Sequence, residues 1–191
     1  MRRSLAVGLL LFAALSTPAQ AATPFEEFRR MCLQTSADLT KALAIADQDG
    51  WATVPQEMVD ILTMRAKVRA GAPRAQARQS GTTYLFVGSV SEAVGAIHLN
   101  MCALIAPPDP QGRSSQDVAN WAGVPANARL SRVNRASYVF SEDASGHIPV
   151  GELEGEAITS LAKVGRLKVV SYQQDKNGEL LVLVAPVKEP S

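Results

Sequence analysis

The chain has 191 residues and a net charge of +1, with nineteen basic residues set against eighteen acidic ones. Hydrophobic residues make up 47% of it and aromatic residues only 5%, which is the composition of an ordinary aliphatic-rich globular domain and excludes a disordered or low-complexity polypeptide. The near-balanced charge removes any global bias toward nucleic acid.

The first element in chain order is a leader. Arg2 and Arg3 precede the uncharged run "LAVGLLLFAAL", and "STPAQA" follows, with Ala19 and Ala21 in a small-residue cleavage pattern. This order predicts a secretory signal peptide over residues 1–21, and a single α+β domain over residues 22–191, working in the periplasm or outside the cell. The apolar run falls short of the ~20 residues that a bilayer span needs. No later run reaches that length without a charge, Pro or Gly, so no transmembrane segment is expected in the mature chain. Loss of Arg2 and Arg3 takes the formal charge from +1 to −1.

"TPFEEFRRMCLQ" predicts a helix. Thr23 and Glu26 form a T-x-x-E capping box, Pro24 sits at the first helical position, and Phe25, Phe28 and Cys32 share one face. A second helix runs through "SADLTKALAIADQDGW", with Ser36 as its cap, Leu39, Ala42, Leu43 and Ala46 on one stripe, and Gly50 as its stop. Trp51 is expected to pack over that end. A third helix starts at Pro55 and carries Met58, Ile61, Leu62 and Arg65 along one stripe.

"RAGAPRAQARQSG" reads as an exposed connection and "TTYLFVGSV" as a strand. "GAIHLNMCALIA" fits both periodicities. The flanking Gly95 and "APPDP" favour a strand, in which Cys102 points away from Met101 toward a covering first helix. "SSQDVANWAGV" reads as a short helix with Ser114 and Asp117 as cap pair and Gly123 as terminator, "ASYVFSE" as a strand, and "GEAITSLAKVG" as a helix. "RLKVVSYQQ" and "ELLVLVAPV" flank Asn177-Gly178 and read as a hairpin. The expected fold class is α+β: N-terminal helices, then a mostly antiparallel sheet with interspersed helices on one side, pinned by one disulfide.

Cys32 and Cys102 are the only cysteines. "PFEEFRRM" separates Cys32 from the leader, which argues against a lipid anchor. A metal site needs about four ligands, and the chain offers only these two cysteines plus His98 and His147, without ligand spacing. A reactive thiol is the remaining rival to a Cys32–Cys102 disulfide, the expected state in an oxidising compartment.

"DQDG" and "DKNG" lack the carboxylates of a calcium loop and read as a helix stop and a hairpin turn. "SLAK" places Ser160 and Lys163 as in a serine acyl-enzyme, without that family's companion motifs. His147 is expected in a loop and His98 on a strand's polar face. Glu152, Glu154 and Glu156 alternate in "GELEGE", where three acids on one edge read as a solvated segment rather than a glycosidase pair. No glycine-rich phosphate loop is present, and neither a cofactor nor a metal is expected.

Charge is unevenly placed. Between Ile61 and Arg135 nine basic residues face three acids, with Arg65, Lys67, Arg69, Arg74 and Arg78 before the first strand and Arg129, Arg132 and Arg135 at three-residue spacing in "RLSRVNR". Together they are candidates for binding an anion, because guanidinium groups grip phosphate or carboxylate through paired donors. Nucleic acid is not expected, since no stacking aromatics are interleaved. The order of a Phe…Cys helix, an alanine-rich helix ending in "GW" and a strand bearing the second Cys resembles small uncharacterised exported proteins of proteobacteria. It does so over "FRRMCLQTSADLTKALAIADQDGW" and more loosely over "LNMCALIA". The resemblance is architectural and implies no activity and no site residues. The sequence thus points to an exported, disulfide-bonded binding protein for an anionic envelope component or another exported protein. A small hydrolase using Ser160/Lys163 or His147, and an inhibitor of another secreted protein, are the alternatives.

Overall fold

The computed structural model describes residues 22–63, 75–91, 98–150 and 156–187. The expected leader, the basic residues Arg65, Lys67, Arg69 and Arg74, and the acids Glu152 and Glu154 lie outside those residues.

Helix α1 (Pro24–Phe28) forms as its capping box dictates. Thr23 Oγ1 accepts the Glu26 N–H, and the Glu26 carboxylate accepts the Thr23 N–H, with Pro24 in the first turn. The helix runs straight into a π-helical turn, Arg29–Leu33, which buries Met31, Cys32 and Leu33 in series. That turn ends on two left-handed residues, Ser36 (φ 53°) and Ala37 (φ 57°). The Ala37 N–H returns to the Cys32 carbonyl and the Ser36 N–H to that of Leu33, as a helix C-terminus requires. Ser36 is therefore a stop rather than the expected cap. The cap of α2 (Leu39–Gln48) is Asp38, whose carboxylate accepts the Lys41 N–H. Gly50 (φ 75°) terminates α2, and Trp51 folds back to donate to the Ala46 carbonyl.

The sheet contains β1 (Ala52–Thr53), β2 (Gln76–Ser80), β3 (Thr83–Ser91), β4 (His98–Ala106), β5 (Arg135–Asp143), β6 (Gly146–Pro149), β7 (Leu167–Asp175) and β8 (Gly178–Pro186), in the order β1-β2-β3-β4-β8-β7-β5-β6. Every neighbouring pair is antiparallel. Helices α3 (Gln56–Thr63), α4 (Ser114–Ala122) and α5 (Glu156–Lys163) are interspersed, so the α+β class is as expected. The segment expected as an exposed connection contributes β2 at its end, a polar strand that buries only Ala77.

Register explains the core. Val87, Cys102, Leu183, Val170 and Tyr138 pair successively across five strands, and Leu85, Leu104, Leu181 and Tyr172 do so across four, two residues along. Both rows point at α1, the π-helical turn, α2 and α4. Cys102 thus faces the first helix, and the Cys32–Cys102 disulfide joins the two layers with its Cα atoms 5.5 Å apart. The alternate residues Phe86, Ala103 and Val182 face the other way, where Val59 of α3 packs with Val54 and Ala77. The helices therefore lie on both faces. Val59 of α3 is buried and Met58 is 46% exposed, while the side chains of Ile61 and Leu62 lie outside the described ones.

The β7–β8 hairpin closes on Lys176 and Asn177, with Asp175 paired to Gly178. The Asp175 carboxylate accepts the Asn177 and Gly178 N–H groups. Glycine is required at 178 because a Cβ there would stand 2.6 Å from the Ala106 carbonyl oxygen of β4, well inside contact distance.

Candidate functional site

The arginines singled out by the sequence do not form one cluster. Arg78 lies on β2 and points at α2, where its guanidinium binds Asp47 at 2.5 and 3.2 Å. Four strands separate it from β5, which carries Arg135. Arg129, Arg132 and Arg135 do come together, in the segment that joins α4 to β5.

Local hydrogen bonding shapes that segment. The Asn127 N–H donates to the Ser137 carbonyl (2.7 Å), and its side-chain oxygen accepts the N–H groups of Arg129 (3.0 Å) and Leu130 (3.1 Å). Such an Asx turn reverses the chain with its own side chain. Arg132 and Arg135 then pair through both backbone bonds, 2.8 and 3.1 Å, which leaves Val133 and Asn134 as a two-residue tip. The Gln174 N–H holds the Asn134 carbonyl at 3.1 Å and so fixes the tip against β7. Val133 is completely exposed and Leu130 is 41% exposed.

The two guanidinium groups are anchored to the loop's own carbonyls. Arg132 Nη1 donates to Arg129 O (2.8 Å) and Ser131 O (2.6 Å), and Arg135 Nε and Nη2 donate to Leu130 O (3.1 and 2.6 Å). Among the described residues neither has a carboxylate partner. Each guanidinium carries five N–H donors, so three remain on each for a ligand. Lys176, exposed at the neighbouring hairpin tip, adds to the positive field, while the adjacent Asp175 carboxylate is turned onto its own backbone. Behind the tip, residues 125–129, Val139 and Pro149 line a cleft of about 560 Å³. Sequence reasoning found the arginines and missed Val133 and Leu130, because periodicity treats an apolar residue as core until a turn exposes it.

The enzyme candidates are placed differently. Ser160 and Lys163 are both exposed on α5, and among the described residues no hydrogen bond joins them. His147, expected in a loop, lies on β6 and is partly buried. Its ring stacks on Phe140 (centroids 4.1 Å) and meets Trp121 edge-on (4.7 Å). Nδ1 bonds the Ala122 carbonyl at 2.9 Å, which requires the proton on Nδ1 and leaves Nε2 facing Glu142 at 3.8 Å. Glu142 in turn pairs with Lys168, a buried lysine that also donates to Ser36 Oγ at 3.1 Å. Serine beside lysine suggests a nucleophile, but Lys168 Nζ is already engaged by the Glu142 carboxylate. The N–H groups of Ser36, Ala37 and Asp38 are all spent on carbonyls, so none is left for an oxyanion. The cluster braces β6 and β7 against the end of the π-helical turn. His98 opens β4 and is exposed. Among the described residues no group of three His, Cys, Asp or Glu side chains is placed to hold a metal ion.

A second buried polar group fixes the start of α4. Ser114 is not the cap expected from sequence. Its hydroxyl donates to Glu179 Oε1 (2.8 Å) across the core, and Tyr172 donates to Glu179 Oε2 (3.3 Å). The N-cap position is Arg113, without a side-chain cap, and Asp109 shapes the turn before the helix by accepting the N–H groups of Gln111 (3.1 Å) and Arg113 (2.7 Å). Those bonds hold the Asp109 carboxyl below the usual range. Burial pushes the Glu179 carboxyl up, and burial together with the Glu179 charge pushes the Tyr172 hydroxyl up to about 12.

The folded protein therefore holds the Glu179 proton more tightly than the unfolded chain does. Its contribution to stability is greatest at low pH and falls as pH rises from the ordinary carboxyl value through the raised one. Glu179→Gln keeps the Ser114 bond and carries no charge to bury. The melting temperature of this variant relative to the parent is expected to climb as pH rises above the ordinary carboxyl value of about 4. A gap that stays constant over that rise removes the assignment.

No known protein family, curated protein or solved structure matches the chain. Among the described residues no helix is long and apolar enough to cross a membrane.

Proposed function

We propose that this is an exported binding protein of the periplasm or cell exterior, and that its 129–135 loop recognises an anionic component of the cell envelope. The reading is supported above all by one observation: Arg132 and Arg135 are ordered by backbone carbonyls rather than neutralised by carboxylates. Guanidinium groups held this way lose little side-chain entropy when they meet a phosphate or carboxylate. The leader pattern and the disulfide support export, since disulfides persist in oxidising compartments.

Retention on immobilised phosphate tests the reading. The parent protein is expected to bind and to elute as salt is raised, since exposed charge contacts are screened. An Arg132→Gln/Arg135→Gln double variant is expected to elute at clearly lower salt while keeping a cooperative unfolding transition, because the bonds it loses are confined to the surface loop. Equal elution of parent and variant overturns the reading.

A further inference from the structure

We propose that the anionic partner of this loop is a lipid surface, with Arg132 and Arg135 on headgroup phosphates and Val133 and Leu130 entering the boundary between headgroups and acyl chains. The inference rests on the anion-binding reading of the same loop and adds the apolar half of the site.

The tip has the chemistry of an interfacial anchor. Val133 stands at full exposure on a turn only two residues wide, flanked by the paired Arg132 and Arg135 and preceded by half-exposed Leu130 in the Asn127 turn. Proteins that bind membrane surfaces combine a basic rim with an apolar element buried a few ångströms deep. Each Lys or Arg near an anionic leaflet strengthens association about five-fold. Here the rim is Arg132, Arg135 and the neighbouring Lys176. The shape separates a bilayer from a protein partner. A specific protein interface buries about 800 Å² on each side, far more than a two-residue turn presents, whereas insertion into lipid needs only a protruding apolar tip. The turn is also rigid, tied by the Arg132–Arg135 backbone pair and by Gln174, so no ordering cost opposes insertion.

The experiment is co-sedimentation of the whole protein with vesicles of equal parts phosphatidylglycerol and phosphatidylcholine, against phosphatidylcholine alone. The parent is expected to bind the anionic vesicles and not the neutral ones. Val133→Ser removes only exposed apolar atoms, so the fold is kept. It is expected to weaken vesicle binding about five-fold while leaving retention on immobilised phosphate at the parent value. Val133→Trp is expected to shift its emission to the blue on anionic vesicles alone. Three results overturn the lipid proposal and leave anion binding standing: retention on phosphate without vesicle binding, equal vesicle binding by the parent and Val133→Ser, or equal binding to both vesicle types. If Arg132→Gln/Arg135→Gln matches the parent on resin and vesicles alike, the anion reading fails and the lipid proposal fails with it.

Discussion

Reduction of the Cys32–Cys102 bond is expected to lower the stability of the folded protein by about 4 kcal/mol, the loop-entropy value for a separation of 70 residues. Most small domains hold only about 5–15 kcal/mol in total, so this single covalent link carries a large share. Both sulfurs are fully buried, one in the π-helical turn and the other in the central row of the sheet. The bond thus ties the helical layer to the sheet at the middle of the core rather than at its rim. In urea the midpoint of unfolding is expected to fall by roughly 2 M, since a domain of this size loses about 2 kcal/mol per molar denaturant. Cys32→Ala/Cys102→Ala is expected to reproduce the loss without reductant. A loss below about 1 kcal/mol in both experiments refutes the assignment of the bond as a principal stabiliser.

Phe140→Ala is expected to cost about 3–5 kcal/mol, the range for deleting a fully enclosed aromatic ring. Phe140 has no exposure, packs edge-on against Trp121 at 5.8 Å, and stacks under His147. Its removal opens a cavity and withdraws the platform that positions the imidazole, so Trp121 emission is expected to shift to the red as the indole meets water. Ile148→Ala, on the neighbouring edge strand at 42% exposure, serves as the control, with an expected loss of no more than about 1 kcal/mol. Similar losses from the two variants, measured by urea unfolding, refute the claim that Phe140 is a keystone of this end of the core.

Where local chemistry decided the outcome, the sequence was readable. The Thr23–Glu26 capping box, the glycine stops at Gly50 and Gly123, the last hairpin and the pairing of the two cysteines all depend on residues a few positions apart or on simple counting. Long-range partners hid the rest. Ser114 looks like a cap until Glu179, 65 residues away, claims its hydroxyl. Ser36 looks like a cap until the turn that closes the π-helical segment makes it left-handed. Gln76–Ser80 is polar because it lies near the sheet's edge and buries one alanine, so it carries no hydrophobic alternation to detect. Val59 is buried and Met58 exposed because α3 packs on the second face of the sheet, a phase that helical spacing alone does not reveal.

The candidate site was legible as charge and illegible as shape. Arg129, Arg132 and Arg135 stand out by spacing, but Arg78 has the same chemistry and is paired with Asp47, 31 residues earlier. Only the fold distinguishes a neutralised arginine from one facing outward.

The strand order has a consequence for how the polypeptide is built. The central neighbours β4 and β8 are far apart in the chain, His98–Ala106 against Gly178–Pro186, so the last described strand is the slat that joins two half-sheets. Until Gly178–Pro186 has been synthesised, β4 and β7 each present a naked, aliphatic rim, the kind of template on which unfinished chains stick to one another. The nascent molecule needs shelter until its last strand arrives, and a stop codon before that strand would leave two sticky halves rather than a smaller stable protein.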